Sequence, residues 1–222
     1  MKVHTRDNHS LLAAVEKRLL IWIAHRLPAW VHSDHLTVLA LAGMAMSAAG
    51  YVLTNWDVRG LWLAVAGLFV NWFGDSLDGT LARVRRLERP RYGFYVDHVV
   101  DILGATLLFG GLAASPYMSA TVAIGVLAAY LLISAEVYLS TAVQGIFRMS
   151  FAGVGPTELR ILLAFGTGLL SRNPHLTLGP LGNVAMLDVG GVIGGAGLVI
   201  AMLMGAARTT RALARAEPAQ VS

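Results

Sequence analysis

Apolar residues in this chain are grouped in blocks longer than a soluble core needs. Six blocks stand out, at 36–55, 60–83, 93–114, 118–146, 157–171 and 184–207. A helix crosses the hydrocarbon of a bilayer with about 20 apolar residues. All the blocks reach that length except 157–171, whose limits are the least defined. The pattern predicts an all-α, polytopic membrane protein with six transmembrane helices, 36–207 forming the core. Glycine and alanine recur throughout the blocks, and small residues let helix backbones approach closely where lipid supplies no hydrophobic drive between them. Ahead of the blocks, residues 10–31 mix apolar positions with Glu16, Lys17, Arg18, His25 and Arg26. Ser10 is a good N-cap for a helix there. Trp22 and Trp30 suit the depth of the lipid headgroups, so we read 10–31 as an amphipathic helix in the membrane interface rather than a helix packed in water. Residues 212–222 read as a frayed tail. No internal repeat divides the chain, and 1–222 reads as a single domain.

Composition agrees with a membrane setting. Hydrophobic residues make up 56% of the 222 and charged residues 14%, against about 25% charged in ordinary soluble domains. There is no cysteine, which removes disulfides, thiolate metal sites and cysteine nucleophiles. Residues 1–18 carry Asp7 and Glu16 and lack the apolar centre of a cleavable signal peptide. The net charge of +4 does not point to nucleic acid. The basic residues instead sort by loop, as the positive-inside rule requires. Arg83, Arg85, Arg86, Arg89 and Arg91 lie between the second and third blocks, and Arg148 and Arg160 around the next even connection. Lys2, Arg6, Lys17, Arg18 and Arg26 precede the first block, and Arg208, Arg211 and Arg215 end the last. With six spans all these clusters fall on the cytoplasmic side, together with both termini. Anionic lipid heads are then the natural counterpart of the positive charge.

The chemistry concentrates in residues 75–101. Asp75 and Asp78 are spaced to share one helix face, and so are Asp97 and Asp101. The two pairs lie on consecutive antiparallel helices joined by a short loop, so they can face each other near the cytoplasmic boundary. Four carboxylates there must be paired, protonated or bound to metal. Two divalent cations would balance them, and hard oxygen ligands favour Mg²⁺, Mn²⁺ or Ca²⁺. Gly79 and Ala82 keep the helix surface thin enough for a nucleotide, Gly93 thins the opposite helix, and Arg83 can grip a phosphate with two parallel hydrogen bonds.

The order Asp75, two residues, Asp78-Gly79, two residues, Ala82-Arg83, a loop, Gly93, three residues, Asp97, three residues, Asp101 resembles the signature of the CDP-alcohol phosphotransferase family. All eight of its fixed positions are present. The resemblance implies that Asp75, Asp78 and Asp97 are metal ligands. Asp101 would touch metal and act as general base, and Gly79, Ala82, Arg83 and Gly93 would line the CDP site. It also implies two Mg²⁺ or Mn²⁺ ions, a CDP-linked lipid donor, a small alcohol acceptor, release of CMP and a homodimer. The donor is then expected to be CDP-diacylglycerol, in phospholipid synthesis.

Weaker signals leave choices open. Ser33 or Asp34 reads as an N-cap of the first span, with a cap that also contacts nucleotide as the alternative. His98 reads as a packing or hydrogen-bonding residue, with a ligand as the alternative, and Asp97-His98 resembles the branch that uses CDP-choline or CDP-ethanolamine with a diacylglycerol acceptor. Asn71 is placed to bond to the site or to pack. Glu136, inside a span, fits either a functional group or an interhelical hydrogen bond. Arg160 either belongs to a helix opening or faces the cytoplasmic cavity and binds an acceptor phosphate, and Asp188 reads as interfacial. A cation-coupled transporter would explain buried aspartates but not the glycines, alanine and arginine at fixed offsets. An aspartate-rich prenyltransferase would space its aspartates more widely.

Overall fold

The structure is a computed structural model in which residues 13–144, 156–177, 179 and 182–217 are described. The fold is all-α apart from one small hairpin. In chain order it runs α1 (Ala13–Ala24), α2 (Ser33–Leu53), α3 (Gly60–Arg85), α4 (Pro90–Ala113), α5 (Ala120–Gln144), α6 (Pro156–Leu170), β1 (His175–Thr177), β2 (Asn183–Ala185) and α7 (Met186–Ala216). The strands pair antiparallel, with Leu176 opposite Val184. Five helices, α2, α3, α4, α5 and α7, are long and apolar enough to cross a membrane. α6 has 15 residues and so spans about 22 Å, less than the roughly 30 Å of a hydrocarbon core.

Two boundaries differ most from the pattern reading. The amphipathic helix stops at Ala24 rather than residue 31. Pro28 disfavours helix in the residue before it, and the Arg85 guanidinium then holds the turn by donating to the carbonyls of Leu27 and Pro28, both at 2.9 Å, and of Val31. At the other end, residues 212–216 do not fray but continue α7 to Ala216. Alanine, leucine and arginine there are strong helix formers. Residues 10–12 and 218–222 lie outside the described residues.

α2 is the spine. α3 packs along it at backbone contact, because glycines face each other across the pair. A Cβ on Gly67 would lie 2.6 Å from the Gly43 carbonyl oxygen, and one on Gly43 2.8 Å from the Gly67 carbonyl oxygen. α4 also packs on α2, with Gly111 against the backbone of Ala48. The core beneath collects Tyr51, Ala64, Leu68, Leu108 and Leu112 with Ala123 and Val126 of α5. A second apolar cluster joins α1 to α3, with Leu20 and Ala24 against Leu77 and Leu81.

α5 and α7 run parallel. Asp188, at the start of α7, accepts a hydrogen bond from the Ser119 amide just before α5, at 2.7 Å. Near the far end of both, Thr209 donates to Glu136 at 3.4 Å. α6 runs the other way between two levels. Arg160 meets Asp75 near the C-terminal end of α3, while Thr167 meets Tyr51 near the C-terminal end of α2, with the two hydroxyls 2.6 Å apart in the core.

Candidate active site

The last turns of α3 and the first turns of α4 carry the acidic cluster. Both helices pack on α2, so the antiparallel pair leaves its aspartates turned toward one region. Asp78 lies within electrostatic range of Asp75 and Asp97. Asp101 lies within range of all three and of Arg160. The structure therefore places Asp75, Asp78 and Asp97 all within electrostatic range of Asp101.

Asp75 and Asp78 are held by different partners. The Asp75 carboxylate accepts from Arg160 at 2.7 Å, in a pair about three-quarters or more buried on both sides. Asp78 accepts from the Thr37 hydroxyl at 2.8 Å through Oδ2, and from the Gly79 amide through Oδ1. Ser33 adds a bond to the Asp78 carbonyl at 2.9 Å. The N-cap reading of Ser33 and Asp34 is thus replaced. His32 occupies the cap position, Ser33 reaches across to α3 instead, and Asp34 pairs with Arg89 at 2.5 Å. That contact, at the mouth of the α3–α4 loop, holds the Arg89 guanidinium above its ordinary pKa range.

The small positions have the space expected of them. A Cβ on Gly79 would meet only the Arg83 guanidinium, 3.4 Å away, and one on Gly93 would meet nothing within 4 Å. Arg83 donates to Thr80 at 3.1 Å. The loop turns at Arg86, which adopts a left-handed conformation with φ of 56°, while Leu87 donates back to the Ala82 carbonyl at 2.9 Å. Beside this turn a cavity of about 520 Å³ is lined by Ser33, Asp34, Ala82, Arg85, Arg86 and Arg89 among others. It adjoins the aspartates rather than covering them, and Ala82 is the signature position on its wall.

Among the described residues, no three acidic or histidine side chains form a ready-made ion cage. Asp75 and Asp78 are instead turned onto protein donors. The donor set still fits hard divalent cations in kind, because it is all carboxylate oxygen, it is partly buried, and Asp75 already pairs with a cationic group, Arg160.

His98 packs and hydrogen-bonds within the protein. It is buried, stacks on Phe94 at 4.1 Å and meets the edge of Tyr138 at 4.8 Å. Its Nδ1 donates to the Phe94 carbonyl at 2.7 Å and lies 3.7 Å from Asp97. Asn71 donates to the Ala40 carbonyl of α2 at 3.0 Å and does not bond to the aspartates. Arg160 faces the site. The residues that spacing did not reveal are Thr37 as the partner of Asp78, Tyr130 and Tyr138 of α5 within electrostatic range of Asp101, and Glu16. Only a map of which helices touch could have found them.

The sequence profile of the CDP-alcohol phosphatidyltransferase family matches residues 30–207. No curated protein matches the chain. The family is generally metal-dependent, and its members move a substituted phosphate from a CDP-alcohol donor to an alcohol acceptor. With most of the chain matched and five apolar helices of spanning length, this multi-pass membrane enzyme belongs to the CDP-alcohol phosphatidyltransferase family.

Proposed function

We propose that the enzyme transfers the phosphatidyl group of CDP-diacylglycerol to a small polar alcohol and releases CMP. The observation that carries this is the convergence of Asp75, Asp78, Asp97 and Asp101 beside the open surface at Gly79. Asp75, Asp78, Asp97 and Asp101 would hold two Mg²⁺ or Mn²⁺ ions, which when bound would neutralise the diphosphate and stabilise the departing CMP. Gly79, Ala82 and Gly93 leave room for the nucleotide against backbone. Arg83 pairs with a phosphate oxygen. Thr37 and the Gly79 amide keep Asp78 oriented, and Arg160 does the same for Asp75.

Asp101 takes the proton from the acceptor hydroxyl, since an alcohol is a weak nucleophile near neutral pH. The acceptor oxygen bonds to the lipid-bearing phosphorus. The bond from that phosphorus to the oxygen bridging the two phosphates breaks, and CMP leaves with the electron pair.

The membrane arrangement we infer has six spans, with α6 as the short fifth, the site and both termini on the cytoplasmic side, and α1 in the interface. The parallel course of α5 and α7 supports the sixth crossing, because the chain must return to the starting end of α5 before α7 begins. α6 reaches from the level of Asp75 to that of Tyr51. With that return, Arg208, Arg211 and Arg215 lie on the side of Arg83 and Arg85, as the positive-inside rule asks. Exposed Trp22 and Trp30 at one end, and Trp56 and Trp62 at the other, match two interfacial belts. The family resemblance further supports a homodimer built from one such domain.

The acceptor is tested by offering purified enzyme CDP-diacylglycerol with radiolabelled serine, inositol, inositol phosphate and glycerol phosphate in turn. Labelled lipid with one of them is the expected result. Product only from CDP-choline or CDP-ethanolamine with diacylglycerol would reverse the assignment of donor and acceptor.

A further inference from the structure

Glu16 lies on α1, outside every signature position, yet its side chain joins three helices. Its Oε1 accepts from the Trp72 indole at 2.7 Å, the Thr157 hydroxyl at 3.1 Å and the Ser76 hydroxyl at 3.3 Å. Trp72 and Ser76 lie on α3, Ser76 next to Asp75. Thr157 lies on the first turn of α6, one turn before Arg160, and Arg160 donates to Asp75. Two polar links thus tie α6 to α3 at the same level, one through Glu16 and one within the acidic cluster.

Apolar contact holds α6 from Leu163 and Ala164 onward, which pack on the core cluster. Ahead of them Leu159, Ile161 and Leu162 are exposed, so among the described side chains of the first turn the fastening contacts are polar ones. α1, in contrast, is well anchored. Leu20 and Ala24 pack on Leu77 and Leu81, and Arg85 holds the turn that follows. A carboxylate is suited to the junction because it only accepts, and several donors can converge on it. Bonds to a charged acceptor are also stronger than neutral ones.

We propose that Glu16 is a positioning residue for the transfer reaction: it fastens α6 to α3 through α1 and so holds the Arg160 guanidinium on Asp75. Its role in catalysis rests on the functional reading above, whereas its role as a helix fastener does not.

Because the chain has no cysteine, spin labels can be placed cleanly. Phe69→Cys on α3 and Leu162→Cys on α6, both exposed, report the separation of the two helices by double electron–electron resonance. A single narrow distance is expected with Glu16 present, and a broadened one in Glu16→Ala. Glu16→Gln retains an acceptor oxygen and should restore most of the narrow distribution. Thr157→Val cuts only the link to α6, leaves Glu16 on Trp72 and Ser76, and should broaden the distance by itself; it carries the test if Glu16→Ala does not fold.

In CMP release, Glu16→Ala should lower kcat by about tenfold. In an Arg160→Ala background it should cost less than about twofold more, because both changes act through one contact. An unchanged distance distribution in both Glu16→Ala and Thr157→Val overturns the proposal. So do losses that multiply in the double variant, since Glu16 would then act independently of Arg160. A wild-type protein that keeps its narrow distance but releases no CMP would overturn the functional reading and leave the fastener standing.

Discussion

Thr37→Val is the sharpest single perturbation of the acidic cluster that leaves every carboxylate in place. Valine matches threonine in shape, and the site of change is buried at 9% exposure, so packing is largely kept. What is lost is the 2.8 Å bond from the Thr37 hydroxyl to Asp78 Oδ2. The other Asp78 oxygen keeps its bond to the Gly79 amide. The Ser33 carbonyl, 3.1 Å away in the same helix, is the other acceptor for that one hydroxyl proton; it is the longer contact, and its loss costs little. A hydrogen bond to a charged group contributes about 1.5–3 kcal/mol. With one oxygen still held, about 2 kcal/mol is the reasonable share. At about 1.4 kcal/mol per factor of ten, that is a fall in kcat/KM of roughly 30-fold. A carboxylate that turns freely is also a poorer ligand, so the Mg²⁺ or Mn²⁺ concentration giving half-maximal rate should rise. Thr37→Ser keeps the donor and should recover most of the loss. The assay is CMP release from CDP-diacylglycerol across a metal titration. A Thr37→Val enzyme with kcat/KM within about twofold of wild type and an unmoved metal titration would refute the reasoning, because Asp78 would then need no second holder.

Other consequences follow from the same contacts. Gly67→Ala puts a Cβ 2.6 Å from the Gly43 carbonyl oxygen; α2 and α3 must part, and thermal denaturation in detergent should show a loss of about 2 kcal/mol or more. Asp188→Ala removes the acceptor for the Ser119 amide at the end of α5 far from the aspartates; about 1 kcal/mol of stability should go while CMP release per folded molecule is unchanged. Tyr51→Phe breaks the buried bond to Thr167 and should cost about 1 kcal/mol in the same melting assay. Chelation with EDTA should stop transfer, and Mg²⁺ or Mn²⁺ should restore it.

The helices were legible because lipid imposes a simple pattern, a long apolar run per crossing. α2, α3, α4, α5 and α7 carry such runs. α6 does not, and its status depends on which residues it touches at either end, which hydropathy does not encode. The hairpin of β1 and β2 was missed because three residues per strand carry no period to read. The early stop of α1 was written in Pro28, but the pull of Arg85 on the turn was not. The start of the tail was misread because Ala, Leu and Arg in 212–216 look unfastened in sequence, while their intrinsic propensity extends α7.

At the site, the aspartates were visible because helical spacing is local and each pair falls on one face. Their holders were not. Thr37 meets Asp78, Arg160 meets Asp75 and Glu16 meets Thr157 across sequence separations that only packing closes. The N-cap reading of Ser33 failed for the same reason. A hydroxyl at a helix start bonds to its own backbone unless a better partner is near, and here α3 supplies one.

The central claim is that these four aspartates perform metal-dependent transfer from a CDP-linked lipid. It is tested most directly by CMP release from CDP-diacylglycerol and a mixture of small alcohols with Mg²⁺ or Mn²⁺, comparing purified wild type with Asp101→Asn of equal thermal stability. The account predicts CMP from the wild type, none without alcohol, and a loss of at least about a hundredfold in Asp101→Asn. An Asp101→Asn enzyme as fast as wild type, or a wild type that releases no CMP, would contradict it.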